Sequence, residues 1–186
     1  MMRQSFDRMT GDDAVTRAQA GAVPYASMGV RVGDSAQVLL ALATQNRDVR
    51  LWTSSVHFAI ETQGGRITRT AGLPHNMSQD LFKGSDPLVS RTAPAGGCDY
   101  QIDLDRVLYQ AAIHYVMEVP TRDTITILGA KLNVLHVAEH ASCSQLDWRF
   151  DNEYWIDSKT GFVWRSHQTI HPDLDPVETV VLRPPT

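Results

Sequence analysis

The sequence predicts one all-β domain with a short N-terminal helix, and three observations point there. Short apolar segments alternate with frequent turn signals along most of the chain. Gly64-Gly65 lies between two strand-like runs, which marks a hairpin because glycine accepts the positive φ such turns need. The 186 residues suffice for one domain with a sizeable core but not for two. Residues 1–10 read as a loose tail and 11–186 as the single β-rich domain.

Thr10 to Ala20 reads as the helix. Thr10 suits an N-cap, Asp12 and Asp13 suit the positive end of the helix dipole, and Gly21 and Pro24 end it. Tyr25 to Val32 follows as a strand and Gly33-Asp34-Ser35 as a turn. Ala36 to Ala43 is apolar on both parities, the pattern of a strand buried on both faces. Val49 to Ser54, Val56 to Thr62 and Arg66 to Leu73 complete an antiparallel meander. Pro74 to Gly97 is rich in proline and glycine without a clear period. It reads as a long surface loop, more mobile than its flanks, with one helical turn near Ser78 to Phe82. Strand signals resume at Tyr100 to Leu104, Tyr109 to Val119, Thr124 to Leu128 and Lys131 to Ala141. They continue at Leu146 to Phe150, Glu153 to Asp157, Phe162 to Ile170 and Val177 to Leu182. Pro120 to Asp123 reads as a turn, and Asp157 to Gly161 as a hairpin turn.

The net charge of -4 carries no basic footprint, so no nucleic-acid partner is expected. The longest aliphatic run, Val38 to Ala43, is strand-sized and far short of the roughly 20 residues of a membrane-spanning helix. The polar first dozen residues lack the apolar region of a secretory signal. The chain is therefore read as cytoplasmic, or as an exported protein without its leader.

Chemistry-bearing residues are scattered. His136 and His140 would share one face of a strand, with His114 as a third ligand, but the spacing lacks the glutamate position of a zinc-protease motif. Asp99, Asp103, Asp105, Glu118 and Glu139 offer carboxylates for a carbohydrate-active enzyme, yet no nucleophile elbow, phosphate loop or dinucleotide motif accompanies them. No catalytic residue, cofactor or metal is expected. Aromatic residues gather from Trp148 to Trp164. Strand alternation sets Tyr154 and Ile156 opposite Trp155, and Phe162 and Trp164 opposite Val163 and Arg165. The face with Trp164 is expected in the core, and Trp155, Arg165 and His167 are the expected surface for a glycan or protein partner.

Three stretches resemble the YjbF/GfcB family of group-four-capsule and exopolysaccharide lipoproteins. They are Val23-Pro24-Tyr25-Ala26-Ser27-Met28; then Gly64-Gly65-Arg66-Ile67 with Ala71-Gly72-Leu73-Pro74 and Ser85-Asp86-Pro87-Leu88; and Tyr154 to Ser166 with the closing Leu182-Arg183-Pro184-Pro185. The resemblance spans nearly the whole chain. It implies a highly curved antiparallel sheet, an open barrel or sandwich-like, with no catalytic residues or cofactor. It also implies a periplasmic, outer-membrane-associated factor in polysaccharide export, whose partners are the polysaccharide or other secretion proteins. Membrane contact would come only through a lipid anchor, whose cysteine is missing from the opening Met1-Met2-Arg3-Gln4. Cys98 and Cys143 read either as two unrelated thiols or, in the oxidising compartment that the resemblance implies, as one disulfide. The rival readings are a carbohydrate-active enzyme and a lipid or lipoprotein carrier.

Overall fold

The computed structural model describes residues 14–55, 57–82, 86–90 and 97–185. In them the expected helix is present but later: α1 (Arg17–Ala22) is capped by Thr16, whose hydroxyl accepts from the Gln19 amide while the Gln19 side chain accepts from the Thr16 amide. This reciprocal cap starts the helix at Arg17; the expected start at Thr10, with Asp12 and Asp13, lies outside the described residues.

The first strands form an antiparallel meander: β1 (Ser27–Val32), β2 (Val38–Asn46), β3 (Val49–Thr53), β4 (Ala59–Gln63), β5 (Arg66–Ala71) and β6 (Met77–Phe82). After α2 (Pro87–Ser90) come β7 (Cys98–Leu104), β8 (Leu108–Met117), β9 (Thr121–Ile127), β10 (Ala130–Cys143), β11 (Trp148–Ile156), β12 (Val163–Gln168) and β13 (Val177–Arg183). Strand β1 pairs with β13, and β10 pairs with both β8 and β11. Twelve strands therefore close into a ring, which leaves no open edge in the barrel, and β9 is the extra strand.

The ring is flattened. β5 and β12 stand six places apart, yet the Gln168 side chain accepts from the Ile67 amide at 2.9 Å and donates to the Gly65 carbonyl at 3.0 Å. Gly65, at φ 99°, presses its Cα face on Val163, where any side chain would collide. This bridging gives the closed barrel a sandwich-like core around Met28, Leu40, Trp52, Ile60, Ile102 and Ile113.

β8 and β9 lie end to end along the same edge of β10, interrupted at Glu118–Pro120, where proline has no amide to give the ladder. Thr121 to Asp123 thus belong to a strand and not to the expected turn. The β9–β10 hairpin extends beyond the barrel and folds over its outer face. Ile125, Ile127 and Val134 bury against Trp155 of β11 and Val180 of β13. The Arg17 guanidinium of α1 donates to the Leu128 carbonyl at the hairpin tip.

Several other expectations are corrected. Leu146 to Phe150 and Glu153 to Asp157 are one strand, β11. Of β2 only Leu40 is fully buried, because its other face looks outward from a single-layered wall. Ser78 to Phe82 lies in a strand, and the helical turn comes later, at Pro87–Ser90. Nor is Pro74 to Gly97 wholly superficial, since Met77, Asp86 and Leu88 are buried; positions 83–85 and 91–96 lie outside the described residues. Cys98 and Cys143 are free. Strand β8 runs between them, since Cys98 pairs with Tyr115 and Tyr115 with Ala141. Two strand spacings are about 10 Å, beyond the roughly 7 Å a disulfide spans.

Candidate functional site

A buried ion cluster organises one end of the barrel. Arg66 follows the Gly64–Gly65 turn and points inward. Its Nε donates to Asp86 Oδ2 at 2.8 Å, and its terminal nitrogens donate to the two Glu139 oxygens at 2.9 and 2.5 Å. Asn152 Nδ2 donates to Glu139 Oε1 at 2.7 Å, and Arg66 also donates to the Tyr154 hydroxyl at 3.1 Å. The guanidinium lies 5.1–5.5 Å from the ring centres of Tyr115, Tyr100 and Tyr154. Burial disfavours the Arg66 charge, but Glu139 and Asp86 outweigh it and hold its pKa above the ordinary value. Burial likewise pushes the phenol of Tyr154 up, so it stays neutral. The Asp86 carboxylate also accepts the Leu88 amide at 3.0 Å, which fixes α2 to the barrel interior.

Next to this anchor opens a cleft of about 410 Å³. Arg50 and Trp52 share the inward parity of β3, facing Thr62 of β4, and the Trp52 indole donates to the Thr62 hydroxyl at 3.0 Å. Gly64, Gly65, Leu88, Phe162 and Thr179 complete the walls. The half-buried Arg50 guanidinium lies 5.5 Å from the Phe162 ring centre, and its Nε is buried without a hydrogen-bond partner. Burial lowers its pKa and Asp48 partly restores it. No carboxylate bridges Arg50 among the described residues, so this cation is available to an anionic ligand.

The expected surface of Trp155, Arg165 and His167 is not an open platform. Trp155 is 4% exposed, covered by the β9–β10 hairpin, and its indole donates to Asp123 Oδ2 at 2.9 Å. Arg165 stacks 4.9 Å over Trp155 and bridges Glu178 at 2.5 Å. His167 is half-buried, opposite Glu153 and Glu178 in the neighbouring strands. A bulge sets Trp155 opposite Arg165 and Ile156 opposite Val163, so Trp164 is the extra residue. It packs on the outer cluster with Trp155, contrary to the expected opposition of faces.

Of the expected histidines and carboxylates, Glu139 lies in the buried cluster, while His114, His140, Asp99 and Glu118 are exposed and Asp103 is half-buried. His114 contacts Asp99 at 2.9 Å, and His140 sits between Asp151 at 2.7 Å and Glu118 at 2.9 Å. Asp103 accepts the Gln110 amide at 2.7 Å. His136 faces Glu153 at 3.6 Å, an ion pair too long for a hydrogen bond. Glu153 raises the His136 pKa above its ordinary 6.5, and His136 lowers that of Glu153 below 4.5. The histidine's contribution to stability is complete below 6.5 and is lost as pH rises through its raised folded value. The glutamate's contribution is present above 4.5 and is lost as pH falls. The gap in melting temperature between the parent and His136→Gln should therefore shrink from about pH 6 to about pH 8. Thermal melts across that range check it, and a constant gap would rule the pair out as a stabilising contact.

Sequence reasoning missed the cleft. Its signal was the same-parity Arg50 and Trp52, which line a cleft only once Phe162 closes over them from the far end of the chain.

Comparisons with known proteins match this architecture. Residues 3–182 match the family described as "Group 4 capsule polysaccharide lipoprotein gfcB, YjbF". The "Uncharacterized lipoprotein GfcB" of Escherichia coli (strain K12) is 25% identical over 177 residues, covering 93% of this chain and 83% of that protein. The crystal structure of the hypothetical lipoprotein YmcC from Escherichia coli (K12) superposes with a TM-score of 0.77 at 24% identity. That superposition covers 92% of this chain and 90% of the other, and it bears on the fold alone.

Proposed function

Since the chain belongs to the YjbF family of group 4 capsule polysaccharide lipoproteins, we propose that it is a non-enzymatic envelope factor that binds an acidic polysaccharide segment in the Arg50 cleft. The reading places it in the periplasm at the outer membrane, where it assists capsule or exopolysaccharide assembly and export alongside secretion proteins. The observation that carries the ligand class is the half-buried Arg50, stacked on Phe162 and free of a carboxylate bridge among the described residues. Among the described residues Arg47 adds a second cation against one lining carboxylate, Asp48. Glycoside hydrolysis uses two carboxyl groups flanking the bond, so this lining supports binding without cleavage.

Isothermal titration with an oligouronide and a neutral glucan of equal length tests it. The acidic chain should bind more tightly, and binding should weaken with salt. Arg50→Ala should lose about tenfold or more, as expected for a hydrogen bond to a charged group. Equal affinity for the neutral glucan, or an unaffected Arg50→Ala, would contradict the assignment.

A further inference from the structure

We propose that His75, His171 and Asp173 form a divalent metal site of the zinc class at the barrel end opposite the cleft. Strands β5 and β12 both begin at the cleft and run away from it, so the β5–β6 loop carrying His75 and the β12–β13 loop carrying His171 and Asp173 meet at the far end. The ligating atoms of the three side chains lie within 4.8 Å of one another. Bonds of about 2.0–2.1 Å from imidazole nitrogen and carboxylate oxygen need these atoms closer, so the exposed Asp173 and the half-buried His75 would turn toward the ion on binding.

One of the two hydrogen bonds of His171 suits a metal ligand, and the other would give way to the ion. Its ring is fully buried, and its Nε2 lies 3.2 Å from the Asp105 carbonyl, to which it donates. The Asp105 carboxylate stands behind at 3.8 Å. Nδ1 is then the lone-pair atom; it accepts the Asp173 amide at 3.1 Å, a hydrogen bond that the metal would replace. A metal-bound histidine commonly donates its other ring nitrogen to a carbonyl or carboxylate in this way, which fixes the tautomer.

His75 stacks on His171 with ring centres 4.7 Å apart. Its Nδ1 is buried without a hydrogen-bond partner, as is Asp105 Oδ1. Unpaired polar atoms are costly in such a place, and a cation at the histidine pair would satisfy the first and attract the second. Two imidazoles and one carboxylate favour zinc over magnesium or calcium, which prefer all-oxygen shells. Asp173 is exposed, so the ion has an entry path, and a water would fill the fourth position. The metal would tie together two loops beside the seam where β5 and β6 pair only at Arg69 and Ser78.

The test is isothermal titration of chelator-treated protein with zinc chloride, with thermal melts alongside. The parent should show one saturable site and a higher melting temperature with zinc. His75→Ala and Asp173→Ala, both outside the fully buried core, should weaken binding at least a hundredfold and abolish the thermal shift. His140→Ala, in the outer row of histidines, should bind like the parent. The proposal is overturned by the absence of saturable binding, by unchanged affinity in His75→Ala and Asp173→Ala, or by loss confined to His140→Ala.

Discussion

Arg66→Ala should cost about 3–5 kcal/mol or more, enough to unfold a domain of ordinary stability, which is about 5–15 kcal/mol. The substitution removes the one cation shared by Asp86 and Glu139, whose side chains are 5% and 0% exposed. Two carboxylates would then be buried without compensation, and Asn152 and the Leu88 amide cannot replace a charge. Arg66→Lys keeps the charge but loses the planar fork that reaches both partners, so it should fall between the parent and Arg66→Ala. Urea unfolding of the three proteins measures the order. An Arg66→Ala protein within about 1 kcal/mol of the parent would mean that the cluster stabilises nothing.

Trp155→Ala should be the next most damaging change, at about 3–5 kcal/mol, because it empties the space between the barrel wall and the β9–β10 hairpin. It also leaves Asp123 without the indole donor and Arg165 without its aromatic face. Trp164→Ala, at a partly buried bulge residue of the same cluster, should cost less. Paired thermal melts decide between the two tryptophans, and a larger loss at Trp164 would reverse the assignment of the faces.

Strands and hairpins were legible because their signals are local. Gly64-Gly65 and Asp157 to Gly161 form turns where expected, the latter because Asp157 Oδ1 accepts the Lys159 and Thr160 amides. What was illegible depends on distant partners. Asp86 looked like a loop residue because nothing nearby in sequence forecasts that Arg66 would bury it. Two of the three stretches that carried the family resemblance nevertheless supply Arg66, Asp86 and Tyr154 to one buried cluster.

The error at Trp155 has a different origin. Perfect alternation predicts two faces but not a bulge, and it does not reveal that a hairpin will cover the outer face. A hint was present in the alternation of Ile125, Ile127 and Val134, apolar residues on a hairpin that extends beyond the ring and so have no barrel interior to fill.

In the proposed function the cleft, and not the outer wall, receives the polysaccharide. Amide chemical-shift mapping with the oligouronide tests it most directly. Shifts should concentrate at Arg50, Trp52, Gly64, Gly65 and Phe162, with the Trp52 indole resonance among them. Shifts centred on Arg165 and His167, or none at saturating ligand, would contradict it.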